Sequence, residues 1–220
     1  MVYCMKISKR IEKIIEYIDT SDKVADIGCD HGYLCLGCIE KGIPFVQNID
    51  NKIGPLNTAK LNLQDYMDKD IMFTLCDGLD GLDGRVDTVV ISGMGGDLIT
   101  QIVKSNLEKA LNLKKIIIVA HSKVPFLREN LTEYFGIVEE DLVEDNDKIY
   151  EIIVFNPQIK KEYSYEELLL GPVLKNKKSD LFVKKVTKRL NEINKILNSS
   201  NIELEKLIKE KSILEKVFEK

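Results

Sequence analysis

Val24-Ala25-Asp26-Ile27-Gly28-Cys29-Asp30-His31-Gly32-Tyr33 decides the fold. An apolar run of strand length passes into Asp-x-Gly-x-x-x-Gly and then into helical spacing, so the glycines allow a tight turn and close backbone approach to a ligand. Outward from it, short apolar runs recur at Val24–Ile27, Phe45–Ile49, Ile71–Leu75, Thr88–Ile91 and Ile116–Ala120. The stretches Tyr33–Lys41, Gly54–Tyr66, Asp97–Leu111 and Pro125–Phe135 read as helices, and Pro125 suits a first turn. Strands of this kind alternating with helices predict βαβ units and a parallel sheet covered on both faces. Ile137–Leu142 and Ile149–Phe155 flank Glu144-Asp145-Asn146-Asp147 and predict a hairpin, so the expected α/β sheet ends in an antiparallel pair.

Two further regions frame that sheet. Ile7, Ile11, Ile14, Ile15 and Ile18 keep helical spacing, with Lys6, Lys9, Arg10 and Lys13 between them, so the chain opens with an amphipathic helix whose other face is basic. Asn156-Pro157 and Gly171-Pro172 bracket a linker-like stretch. Beyond it, Leu181, Val183, Val186, Leu190, Ile193 and Leu197 form one stripe, and Leu204, Leu207, Ile208, Leu214, Val217 and Phe218 another. The short polar turn Asn198-Ser199-Ser200-Asn201 between them predicts an antiparallel helical hairpin. The expected division is residues 1–159 and 160–220, a sheet domain and a helical domain. Lys plus Arg against Asp plus Glu is 17 against 26 in the first part and 15 against 10 in the second, so a net charge of −4 conceals −9 followed by +5.

Composition narrows the class. With 44% hydrophobic and 31% charged residues, 13 Gly and 5 Pro, neither a disordered chain nor a fibrous repeat fits. No run approaches a membrane span and the opening lacks a secretory apolar stretch, so a cytoplasmic protein, off the membrane, is expected. Five cysteines without an export signal favour reduced thiols. Cys35-x-x-Cys38 has no second Cys or His pair at ligand spacing, and no metal site is expected. The chain is expected to act as a monomer.

The chemistry sits at the strand ends. Asp26 and Asp30 put negative charge in and beside the first loop, which repels a diphosphate and suits a cationic or zwitterionic ligand. Asp50, followed by Asn51, ends the second run 18 residues after Gly32, near the offset of ~20 at which a carboxylate accepts from a ribose diol. Asp77 ends the third run, where it can accept from an adenine amino group while Gly78 leaves room for the ring. Singly, each has a plain structural reading, since tight turns need glycine and strand-end Asp often caps a helix. Together Asp26, Gly28, Asp30, His31, Gly32, Asp50, Asn51, Asp77 and Gly78 describe an adenosine with a charged, non-phosphate tail, and S-adenosylmethionine is the candidate. Gly93-Met94-Gly95-Gly96 ends the fourth run, with Gly93 and Met94 also facing that cofactor. In a methyltransferase this edge faces the methyl group. The chain has neither the Asn/Asp-Pro-Pro-aromatic tetrad of amino-group methylation nor a Pro before any cysteine. A ring nitrogen such as adenine N1 has an in-plane lone pair and needs neither.

Asp26-Ile27-Gly28-x-Asp30-His31-x-Tyr33-Leu34, Gly54-Pro55, Asp77-Gly78-Leu79, Gly93-Met94-Gly95-Gly96, Asp145-x-x-Lys148-x-Tyr150-Glu151 and Gly171-Pro172-x-Leu174 stand in the order of the bacterial TrmK family, the tRNA (adenine-22-N1)-methyltransferases. The chain resembles that family over nearly its whole length. The resemblance implies a Rossmann-like class I methyltransferase sheet, mostly parallel with an antiparallel last strand, and a coiled-coil-like helical hairpin that binds tRNA. It also implies methyl transfer from S-adenosylmethionine to adenine N1, leaving S-adenosylhomocysteine. Departures are Cys29 and Cys35, where a serine and a proline are expected, and Val119-Ala120-His121, where Gln-Pro-Asn is expected. No residue is assigned to the chemical step itself; Gly93, Met94, Gly95 and His121 are pocket candidates.

Residues 173–189 carry seven cations against Asp180 alone. Such a run is often just a solvated face, but beside a nucleotide-modifying domain Lys184, Lys185, Lys188 and Arg189, with Lys9 and Arg10, are expected to contact tRNA phosphates. The acidic hairpin is expected to face away from the RNA. Two alternatives stay open: a non-catalytic tRNA-binding protein that retains cofactor affinity, and a nicotinamide-dependent oxidoreductase on the same layered sheet.

Overall fold

All five apolar runs are strands in the computed structural model, which describes residues 7–199 and 205–219. They are β1 (Lys23–Ile27), β2 (Phe45–Asp50), β3 (Ile71–Leu75), β4 (Thr88–Met94) and β5 (Lys115–Ala120). The hairpin follows as β6 (Gly136–Asp145) and β7 (Lys148–Asn156). Asn146 and Asp147 turn it with φ of 50° and 59°, the left-handed pair that two-residue hairpin loops require. The seven strands form one sheet in the order β3-β2-β1-β4-β5-β7-β6. β1 to β5 are parallel, and β7 runs antiparallel to both neighbours.

Strand alternation explains why the runs are continuously apolar. Ala25, Ile27, Val89, Ile91, Ile116 and Ile118 face one buried cluster, while Val24, Val46, Val90, Ile117 and Val119 face another. The second layer includes α1 (Lys9–Glu16), whose Ile14 and Ile15 are buried against the sheet and α2 (Tyr33–Lys41). Lys13 and Tyr17 tie α1 to Asp141 of β6 at 2.9 Å each.

The remaining helices depart from expectation in places. The second crossover helix is α3 (Ile53–Asn62), which tightens into a 3-10 turn at Gln64–Tyr66. The expected Asp97–Leu111 helix is two, α4 (Gly96–Ser105) and α5 (Leu107–Leu111), broken where Asn106 leaves the helical region at φ −124°. α6 (Val124–Leu131) carries Pro125 in its first turn. The linker-like stretch also holds structure, α7 (Tyr165–Leu170), and a short helix α8 (Leu174–Lys177) follows it. A capping box starts α7, with Ser164 Oγ accepting from Glu167 N and the Glu167 side chain returning to Ser164 N. α9 (Asp180–Ser199) and α10 (Glu205–Lys216) follow. Leu204 and residues 200–201 of the expected turn lie outside the described residues.

Helices α7 to α10 bury Leu170, Leu174, Phe182, Val186, Ile193 and Leu214 around Leu142 of β6. A charged chain crosses the seam beside this cluster. Arg128 of α6 is fully buried and bridges Glu140 at 2.7 Å and Glu151 at 2.6 Å. Lys185 of α9 takes the other oxygen of Glu151 at 2.6 Å. Glu140 also accepts from the backbone N–H groups of Val173 and Leu174. Burial alone would raise the Glu151 pKa, but Lys185 and Arg128 hold it down to about 2.

Candidate functional site

The sheet order reverses between β1 and β4, and open α/β sheets bind ligands beyond the carboxyl ends of their strands at such a point. The loop after β1 is hung on the neighbouring strand, because Gly28 N and Cys29 N both donate to Ile49 O, at 2.8 and 3.0 Å. Gly28 has φ +76°, and a Cβ there would collide with the methyl of Met94, so glycine is needed for both conformation and contact. That contact joins the first loop to the end of β4.

All four carboxylates stand at the carboxyl ends of the adjacent strands β1, β2 and β3. Asp26 is 4% exposed, and no hydrogen bond reaches its side chain among the described residues. Burial first, then Asp50 and Asp30, push its pKa up to about 7, with Arg10 pulling the other way. A buried carboxylate left without a donor is costly and marks a place where a ligand completes the bonding. Asp50 is half-buried at the end of β2, and its Oδ1 accepts from Lys52 N at 2.9 Å. Asp30 is exposed at φ +46°, 3.4 Å from His31, whose carbonyl accepts from Asn62 at 3.0 Å. Asn51 and Asp77 are exposed after β2 and β3, and Gly78 is buried against Ile102.

The other side of the switch point is a neutral-to-basic rim. β4 bulges between Ser92 and Met94, and Gly93 stands exposed there at φ +82°. His121 N donates to Met94 O at 2.8 Å, and a Cβ on Gly93 would lie 4.0 Å from His121 Nε2. Arg10 reaches the same place from α1: Nη1 lies 3.3 Å from His121 Nε2, and the guanidinium lies 5.0 Å from the Tyr150 ring centroid. Arg10 is therefore turned to the rim rather than outward with exposed Lys9. Tyr150 and Glu151 stood in a sequence motif without roles; strand alternation sends Tyr150 to this rim and Glu151 to the seam. Burial, then Arg10 and Lys148, lower the His121 pKa.

Beyond His121 a cleft of about 530 Å³ opens between the sheet and α9, lined by Lys123, Glu144, Lys184, Lys188 and Arg189 among others. Here the hairpin does not face away from the basic helix. Lys184 pairs with Glu144 at 2.5 Å, Lys185 with Glu151, and Arg189 with Glu210 of α10 at 2.6 Å. Among the described residues Lys188 alone of the four makes no ion pair. The pairing arises because α9 packs on β6, which no one-dimensional charge count could reveal. Cys29, Cys35 and Cys38 are buried free thiols, with Cys35 pushed up to about 12 by burial, so they are protonated.

The profile of the family described as TrmK: tRNA (adenine(22)-N(1))-methyltransferase matches residues 24–220. A Bacillus subtilis (strain 168) protein, tRNA (adenine(22)-N(1))-methyltransferase, is 29% identical over 196 residues, 84% of this chain and 82% of that one. The crystal structure of Bacillus subtilis TrmK is similar with a TM-score of 0.85 at 26% identity, covering 96% of this chain and 98% of that one. A Streptococcus pneumoniae protein crystallised in complex with S-adenosyl-L-methionine has a TM-score of 0.89 at 27% identity, covering 96% of this chain and 99% of that one.

Proposed function

Because the chain belongs to the TrmK family of tRNA (adenine(22)-N(1))-methyltransferases, we propose that it holds S-adenosylmethionine over the ends of β1 to β3 and receives the target adenine over β4 and β5. The protein is an S-adenosylmethionine-dependent tRNA (adenine-N1) methyltransferase. The observation that carries the residue-level reading is Asp26, a buried carboxylate with no donor among the described residues, beside Asp50 and Asp30. An acidic, phosphate-repelling pocket of that kind fits an adenosine with a cationic tail and disfavours a dinucleotide.

Asp50 and Asn51 bind the ribose, Asp77 with Gly78 the adenine, and Asp26 and Asp30 the methionine end, with His31 and Gly32 completing the loop. Bound there, S-adenosylmethionine supplies an electrophilic methyl group and leaves as S-adenosylhomocysteine. Gly93 and Gly95 keep the approach to it free of side-chain bulk, while Met94 packs its side chain on Gly28. Unpaired adenine N1 carries no proton, so positioning dominates over general-base help. The acidic pocket favours the cationic product base. The base is unstacked from the tRNA to reach N1.

Residues 1–159 form the methyltransferase domain, and residues 160–220 a coiled-coil-like domain that grips tRNA through Lys184, Lys185, Lys188 and Arg189, helped by Lys9. The target is the adenine at position 22, and the enzyme works as a cytoplasmic monomer. No described helix is long and apolar enough to cross a membrane. Calorimetric titration tests the cofactor pocket: S-adenosylmethionine binds the wild type, and Asp50→Ala weakens it by roughly 100-fold, the loss of two charge-assisted hydrogen bonds. Unchanged binding at Asp50→Ala overturns the assignment.

A further inference from the structure

His121 is one of only two histidines in the chain, and its surroundings decide which of its nitrogens carries the proton. Arg10 Nη1 lies 3.3 Å from His121 Nε2. A guanidinium has N–H groups and no acceptor, so in this contact Nε2 must offer its lone pair. The imidazole is then neutral, with its proton on Nδ1. Burial, Arg10 and Lys148 all lower the His121 pKa, which agrees with a neutral ring. Tyr150 fixes the ring plane from the side, edge to face at 5.7 Å.

The arrangement has a cost that points to use. Arg10 Nε is buried without a hydrogen-bond partner, although the same guanidinium stacks on Tyr150. An unmet buried N–H of this sort is unfavourable. It persists here because Ile14 and Ile15 fasten α1 to the sheet and fix where Arg10 can reach. His121 itself is exposed beside Gly93, and its Nδ1–H bonds to nothing among the described residues.

We propose that Arg10 is a positioning residue that locks His121 as the neutral Nδ1–H tautomer, and that this N–H donates to N7 of the target adenine. The inference rests on the methyl-transfer reading above. Holding N7 leaves N1 unencumbered and turns it toward the end of β4. A neutral donor suits the task, because an imidazolium in the same place would repel the cationic product. Any donor at that point serves the same purpose, so Asn is the conservative replacement for His121.

Three measurements test the proposal together. With tRNA carrying 7-deazaadenosine at the methylated position, which lacks the N7 acceptor, wild-type kcat/KM falls about three- to tenfold, the worth of one neutral hydrogen bond. His121→Ala loses the same factor on normal tRNA and nothing more on the 7-deaza substrate, and His121→Asn recovers most of it. Nitrogen-15 NMR of labelled histidine shows the Nδ1–H tautomer of His121 in the wild type and a shift toward Nε2–H in Arg10→Ala. Calorimetric affinity for S-adenosylmethionine stays within about twofold at His121→Ala, which separates loss of base contact from damage to the cofactor pocket. Equal wild-type rates on both substrates, or an Nε2–H tautomer in the wild type, overturn the proposal while leaving the methyltransferase reading intact. A wild type that methylates no adenine overturns that reading instead.

Discussion

The edge beyond β1 to β3 and the face of α9 both concentrate charge, yet they treat it in opposite ways. At the first, Asp26 is buried with no donor among the described residues and stands among Asp50 and Asp30, so burial and its acidic neighbours disfavour its ionisation in the free chain. At the second, Lys184, Lys185 and Arg189 already have carboxylate partners within 2.6 Å. A small cationic ligand meets a pocket in which its charge favours the ionised Asp26. A polyanion meets a surface where phosphates must replace carboxylates, so binding there is an exchange of ion pairs. The difference teaches that the same composition signal, a local charge excess, means binding energy in one region and structural bonding in the other.

The comparison is broken most violently at the seam. Arg128→Met leaves Glu140 and Glu151 buried side by side with only Lys185 to offset them, and should cost about 3–5 kcal/mol in urea unfolding. Glu144→Gln, which removes only the exposed pair with Lys184, should cost less than about 1 kcal/mol. Equal losses would show that the two classes of pair are not distinct. Glu151 also sets an acid limit. Its folded pKa of about 2 lies below the ordinary 4.5, so its contribution is present above pH 4.5 and lost as pH falls toward 2.

Next comes the cofactor edge. Asp26 is held protonated up to about pH 7, so affinity for a cationic ligand should be full above that and fall by up to about tenfold per pH unit below it, with proton release on binding. Asp26→Asn should abolish the pH dependence and weaken binding at pH 8. A pH-independent wild type would remove the contrast with α9. The smallest effects lie on α9 itself. Lys188→Ala should lower the slope of log affinity for tRNA against log salt by about 1, since Lys188 has no ion pair to give up among the described residues. Lys184→Ala should lower it by less, and Glu144→Gln should tighten tRNA binding by freeing Lys184.

Much of this was legible in the sequence. The five runs and the hairpin gave every strand, because a parallel sheet covered on both faces needs continuously apolar residues. The acids at strand ends were legible because topology alone carries Asp26, Asp50 and Asp77 to one edge. What stayed hidden depends on which face meets which. α7 was missed inside a stretch read as linker, although Ser164-Tyr165-Glu166-Glu167 is a capping-box pattern. Arg10 read as one cation of a basic helix face, and only packing of α1 against the sheet turns it to His121. The α9 cations read as free for RNA because their partners lie on other elements: Glu144 in β6 for Lys184, Glu151 in β7 for Lys185 and Glu210 in α10 for Arg189.

The decisive experiment maps the transferred methyl group. The protein is incubated with tRNA and S-adenosylmethionine labelled in its methyl group, and the digested nucleosides are identified by mass and located in the chain. Label is expected in 1-methyladenosine at position 22 and nowhere else. Label in another nucleoside, or tRNA bound without any label transferred, would contradict it.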